Sequence, residues 1–199
     1  DSDVDTTTDG QVLSITAVSN AQHGSVTLNA NGTISFVPEV NYYGNASFDY
    51  TVSDGNGGAT TTTATIALTN VNDAPVATGE TVNSSEDQIL TITASALLQN
   101  DSDIDNVNAD LTISRVQSGT GGTVSLNASG NVVFTPTLNY NGTATFTYWV
   151  TDPSGLESNA VTTTVVLAAV NDAPSAQGEI VTGASEDAVF NINKSTLLA

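Results

Sequence analysis

The sequence predicts an all-β chain: tandem seven-stranded Greek-key sandwiches, one complete repeat flanked by two partial ones. Three observations predict it. First, whole segments return after 98 to 100 residues: Asp1-Ser-Asp-Val-Asp5 as Asp101-Ser-Asp-Ile-Asp105, Asn41-Tyr-Tyr-Gly44 as Asn139-Tyr-Asn-Gly142, Val71-Asn-Asp-Ala-Pro75 as Val170-Asn-Asp-Ala-Pro174, and Ser85-Glu-Asp87 as Ser185-Glu-Asp187. A period that long, made of strand-like pieces, means tandem domains rather than a solenoid. Second, apolar residues alternate. Ala46, Phe48, Tyr50 and Val52 share one face, as do Ala144, Phe146, Tyr148 and Val150, which is the signature of half-buried strands. Third, turn signals are frequent and helix signals scarce. Asn29-Ala-Asn-Gly32 and Asn127-Ala-Ser-Gly130 each separate two alternating runs and read as hairpin turns.

Taken in order, residues 1–73 form a repeat that lacks its first two strands. Leu13 and Ile15, then Val26 and Leu28, then the Ala46–Val52 face mark its strands. Residues 74–171 form the complete repeat, with strands expected near 75–82, 88–94, 110–117, 122–127, 131–136, 143–151 and 160–169. Ser95-Ala-Leu-Leu98 reads as a helical turn. Residues 172–199 hold the first two strands of a following repeat. The Val-Asn-Asp-Ala-Pro linkers leave little slack, because proline restrains the residue before it to extended geometry. With no initiator Met and no signal-peptide pattern, the chain reads as an internal piece of something longer. Its two ends invite a head-to-tail arrangement, in which residues 174–199 complete residues 1–71 of a neighbouring copy or of one continuous chain.

Composition narrows the function. Arg115 and Lys194 face 21 acidic residues, for a net charge of −19. Such a chain cannot neutralise phosphates, so nucleic acid is excluded as a partner, and no apolar run is long enough for membrane insertion. Cysteine is absent, which removes thiol chemistry and disulfide stapling. Charge of this size repels itself unless cations offset it.

The recurring residues are oxygen ligands. Calcium takes six to eight oxygens from carboxylates, amides, carbonyls and water. The alternating carboxylates of Asp101-Ser-Asp-Ile-Asp105 suit that chemistry when the segment is a loop. It is no EF-hand: Asn106 and Thr112 stand where that loop needs Gly and Glu. Catalysis finds no support, and the chain is expected not to be an enzyme. His23 is the single histidine and Gly121 takes its place in the other repeat. No serine has a base to activate it. Trp149, the single tryptophan, alternates out of phase with Phe146 and Tyr148; it reads as packing beneath a loop, with an outer-face position where a sugar could stack as the alternative. Tyr42 and Tyr140 read as structural corners.

In this order the motifs resemble the cadherin-like tandem repeats of large bacterial surface adhesins of the RTX or biofilm type, and through them cadherin domains, which are immunoglobulin-like sandwiches. Glu86 matches the Glu near the domain start. Asp101 and Asp103 match the paired Asp after the second strand, and Asp152 the Asp after the sixth. Leu138-Asn-Tyr-Asn141 matches the acidic motif near the domain base, with Asn at both acidic positions. The resemblance implies Ca2+ between consecutive domains, one or two ions per junction. It implies Asn72, Asp73, Asp101, Asp103 and Asp152 at the first junction and Glu86, Asn171 and Asp172 at the second. Asp1, Asp3 and Asp54 would serve a junction upstream.

The function implied is a calcium-rigidified extender, or stalk, of a secreted or cell-surface adhesin, extracellular and partnered by neighbouring repeats. Two alternatives are a glycan- or partner-binding sandwich and a self-assembling extracellular fibre subunit.

Overall fold

The computed structural model describes residues 1–2 and 12–197. It is all-β apart from one short helix and three single 3-10 turns. The first repeat contributes β1 (Ser14–Gln22), β2 (Gly24–Leu28), β3 (Ile34–Pro38), β4 (Gly44–Ser53) and β5 (Ala59–Leu68). The second contributes β6 (Thr81–Ser85), β7 (Leu90–Ile92), α1 (Ala94–Leu97), β8 (Thr112–Ser118), β9 (Gly122–Leu126), β10 (Val132–Pro136), β11 (Gly142–Thr151) and β12 (Val161–Ala168).

The second repeat is a two-layer sandwich. A four-stranded sheet in the order β6-β12-β11-β8 faces a three-stranded sheet in the order β7-β10-β9. Its core is the predicted alternation made real: Phe134, Phe146, Tyr148, Val132, Val150 and Val165 are fully buried, closed at one end by Leu97 and Leu98 of the helical turn. Burying each such side chain is worth roughly 1.5–3 kcal/mol. Phe146 packs between Phe134 and Tyr148 at centroid distances of 6.2 and 6.5 Å. The first repeat repeats this ladder, with Phe48 between Phe36 and Tyr50 at 6.2 and 6.4 Å. Its β1-β4-β5 sheet and β2-β3 hairpin bury only Ala46, Phe48 and Val52 among the described residues.

The first strand differs from expectation. The strand predicted at 75–82 begins only at Thr81 and runs parallel to β12, whereas the other strand pairs among the described residues are antiparallel. Residues 76–80 find other partners. Val76 forms a lone bridge with Ser102. The Asn159 amide clasps both the N–H and the carbonyl of Ala77 at 3.2 Å, and the Thr78 N–H donates to Asp101 at 2.7 Å. Side chains thus satisfy backbone groups that a sheet would otherwise pair. Residues 171–193 form no strand and join no sheet among the described residues; Ile180 and Val189 are almost wholly exposed.

The turns behave as read. Gly32 and Gly130 take φ of +84° and +74°, a conformation that glycine adopts without strain. Tyr42 and Tyr140 do form corners, their hydroxyls donating to the carbonyls of Asn45 and Thr143. His23 and Gly121 share a left-handed turn, at φ +59° and +74°. The His23 ring stacks on Tyr42 at 3.8 Å, whereas a Cβ on Gly121 would collide with the Tyr140 ring.

Candidate metal centres at the repeat junctions

The first junction is assembled from a loop, a linker and a hairpin. In the loop, one Asp103 oxygen accepts from the backbone N–H groups of Asp105 and Asn106, at 2.7 and 2.9 Å, and from the Asn106 side chain at 3.1 Å. Its other oxygen, Oδ2, is buried and accepts nothing. Asp105 bridges the repeats: it accepts from the Asn70 amide at the end of the first repeat (2.9 Å) and from the Asp73 N–H of the linker (2.7 Å). From the hairpin after β11, Asp152 accepts from the Asn72 amide at 2.5 Å and from the Leu156 N–H at 2.8 Å. The Asn72 hydrogen bond, chiefly, holds the Asp152 carboxyl below the usual range. Asn72 also donates to the Asp73 carbonyl at 3.1 Å. Asp73 and Asp103 line a cleft with Asn41 of the first repeat.

Asp101, which the resemblance places among the ligands, turns inward instead. It is 2% exposed and accepts from Thr78 and from the Tyr148 hydroxyl, the latter at 3.3 Å. The same hydroxyl lies slightly closer to Glu80, at 3.1 Å. The reason is local: a buried phenol needs an acceptor, and Asp101 follows the 3-10 turn that packs against it. Burial raises the carboxyl pKa of both Asp101 and Glu80. Asp105 takes the place at the linker that Asp101 leaves. Asp105 lies outside the ligand set that the resemblance implies; its signal in the sequence is the Asp-x-Asp-x-Asp alternation itself, with Asp5 at the matching position.

At the second junction Glu86 is 3% exposed. It accepts from the Val170 N–H at 2.7 Å and from the Asn141 amide at 3.2 Å. It therefore ties the outgoing linker to the domain base. Asn171 and Asp172 are exposed, and Asn171 donates to the Asp172 carbonyl at 3.2 Å, as Asn72 does to Asp73. At the upstream end, Asp1 accepts from the Tyr50 hydroxyl at 3.0 Å, the counterpart of the Asp101–Tyr148 contact. Asp54 accepts from the N–H groups of Asn56 and Gly58. Asp3 lies outside the described residues.

Among the described residues no three acidic or histidine side chains converge on one point. The fit to calcium is instead a matter of donors. Asn72, Asp73, Asp103, Asp105 and Asp152 offer carboxylate and amide oxygens, the hard donor type that calcium takes, rather than the nitrogen and sulfur ligands that suit zinc. The orphaned Asp103 Oδ2 is a buried carboxyl oxygen, and such an acceptor is costly unless a cation or donor meets it.

A family model described as a cadherin-like domain matches residues 1–69 and 71–167. The chain belongs to the cadherin-like domain family. Solved structures that it resembles include the human desmocollin-1 ectodomain (17% identity over 82% of this chain and 36% of that one, TM-score 0.40). Chicken VE-cadherin EC1-2 is another (14%, 80% and 93%, TM-score 0.39), and an endo-fucoidan hydrolase of glycoside hydrolase family 107 a third (20%, 82% and 24%, TM-score 0.32). The chain spans about a quarter to a third of the desmocollin and hydrolase chains. No curated protein matches. Cadherin-like domains are typically extracellular, and no helix among the described residues is long and apolar enough to cross a membrane. Such repeats are structural modules of larger extracellular proteins.

Proposed function

We propose that this chain is a calcium-stiffened extender segment of a long secreted or cell-surface adhesin, its repeats holding a binding tip away from the cell. The observation that carries the reading is the orphaned Asp103 Oδ2, beside a linker already tied across the junction by Asp105 and Asp152. Asn72, Asp73, Asp103, Asp105 and Asp152 would hold the ion. Bound calcium supplies positive charge that offsets carboxylate repulsion at the hinge. The protein's own part is to bring those oxygens from two repeats to one linker, so that occupancy and a straight junction favour each other. The partners in this reading are neighbouring repeats of the same or like chains. The 171–193 segment, which joins no sheet among the described residues, resembles in sequence the strands that complete the second sandwich, which supports head-to-tail succession.

Metal bound only to the folded form stabilises it by mass action, and extracellular modules bind calcium at about 10⁻⁴–10⁻³ M. Millimolar calcium is expected to raise the melting temperature clearly and magnesium much less. A repeat of this kind spans roughly 35–45 Å, so X-ray scattering should give a longer maximum dimension in calcium than in chelator. Unchanged melting and unchanged dimensions across the titration would sink the reading.

A further inference from the structure

One cluster is built in the second repeat only. Arg115, the single arginine, lies on β8 directly across from Trp149, the single tryptophan, on β11. The guanidinium carbon sits 3.5 Å from the centre of the indole ring, so the residue covering Trp149 is Arg115 rather than a loop. The same guanidinium forks onto Glu157: Nε donates to one carboxylate oxygen at 2.9 Å and Nη2 to the other at 2.8 Å. Ser114, at a bulge in β8, adds a third hydrogen bond to Glu157 at 2.8 Å.

Glu157 closes the hairpin that carries Asp152. It bridges back to Thr151. Between those two residues, the Asp152 N–H donates to Leu156 O at 3.2 Å, the Leu156 N–H donates to Asp152 Oδ1 at 2.8 Å, and Asp152 Oδ2 takes the Asn72 amide. Stacking fixes the plane of the guanidinium, and the fork then fixes Glu157 in direction as well as distance. The first repeat has the same strand pairs without the cluster. Ala17 faces Thr51 and Ser53 faces Ala59, around a loop whose Gly55 and Gly57 both take positive φ. Three positions thus differ together, and all three bear on one hairpin.

We infer that Arg115, Trp149 and Glu157 are positioning residues for Asp152: the stacked, forked guanidinium holds the 152–157 hairpin so that the Asp152 carboxylate stays on the inter-repeat linker at Asn72. The calcium arm of the test rests on the reading proposed above; the geometric arm does not. An exposed ion pair adds little to global stability, so the cluster's effect falls on loop geometry. A residue that orients a ligand commonly changes metal affinity by about 10- to 100-fold.

The test compares the wild-type chain with Glu157→Gln and Arg115→Lys, the second keeping the charge but losing the fork. Amide exchange of Asp152 and Leu156 is read in chelator by NMR, and calcium affinity by calorimetry. Both variants are expected to melt as wild type in chelator, to exchange those two amides about tenfold faster, and to bind calcium about tenfold more weakly. Unchanged exchange would overturn the inference. So would faster exchange with wild-type calcium affinity. A wild-type chain that binds no calcium would defeat only the calcium reading, and the exchange arm would still decide the role of the cluster.

Discussion

The two repeats carry the same strands, the same aromatic ladder and the same tyrosine corner, yet they differ in how firmly those parts are held. In residues 74–168 the core is closed by β6, β7 and the helical turn, and the hairpin after β11 is clamped by Arg115 and Glu157. In residues 12–70 Val26, Phe36, Tyr50 and Ile66 are only half-buried, and the equivalent hairpin is a glycine-rich loop held by Ser53 and Asp54. The comparison separates two things that a repeat encodes. Strand pairing and register are local to each hairpin and survive in both. Burial is cooperative and needs the strands that come from elsewhere in the sequence.

The largest expected effect breaks the comparison at the core. Phe134→Ala removes a fully buried ring and should cost about 3–5 kcal/mol. Phe36→Ala, at the matching but half-covered position, should cost less than half of that. Denaturant melts of the two variants decide it, and equal losses would mean that both cores are equally closed in solution.

Next comes the junction. Asp103→Ala should abolish most of the calcium-induced rise in melting temperature, since it deletes the one buried carboxylate oxygen left without a partner among the described residues. Asp105→Asn should reduce that rise by a smaller amount. Asp110→Ala, on the exposed 3-10 turn, should leave it intact. A full calcium response in Asp103→Ala would remove that residue from the site.

The smallest effect is in pH dependence. Burial raises the folded-state pKa of Glu80 and Asp101 above their ordinary values of 4.5 and 3.8. Between the unfolded and folded pKa the native state binds more protons than the unfolded chain, so stability falls as pH rises through that window. In chelator the wild type should therefore lose stability on moving upward from the ordinary carboxylate range. Glu80→Gln should flatten that slope by an amount that thermal melts at a series of pH values can read. Asp152 acts with opposite sign: its lowered pKa contributes stability that is present above 3.8 and lost as pH falls through the folded value. An unaltered slope in Glu80→Gln would leave the general charge repulsion of the chain as its cause.

What the sequence by itself determined was whatever depends on neighbours along the chain. Period-2 alternation placed β8 to β12 within a few residues of their observed ends. Asn-Ala-Asn-Gly and Asn-Ala-Ser-Gly placed the hairpin turns, because only certain residues tolerate a left-handed backbone. The repeated Val-Asn-Asp-Ala-Pro placed the linkers, and the Asp-x-Asp-x-Asp run placed the candidate junction loop.

What only the tertiary structure decided was where each carboxylate points and what the backbone pairs with. Asp101 and Asp105 look alike in an alternating run. One meets the Tyr148 phenol and the other the Asp73 amide, partners 47 and 32 residues away. The start of the first strand was illegible for the same reason, since the Asn159 side chain that replaces a sheet partner for Ala77 lies 82 residues further on. The Arg115–Trp149–Glu157 cluster joins three positions whose proximity follows from the register of β8 against β11 and from a hairpin closing back on itself. Such contacts carry no periodic signal, because they are made by side chains meeting across the fold and not by spacing along the chain.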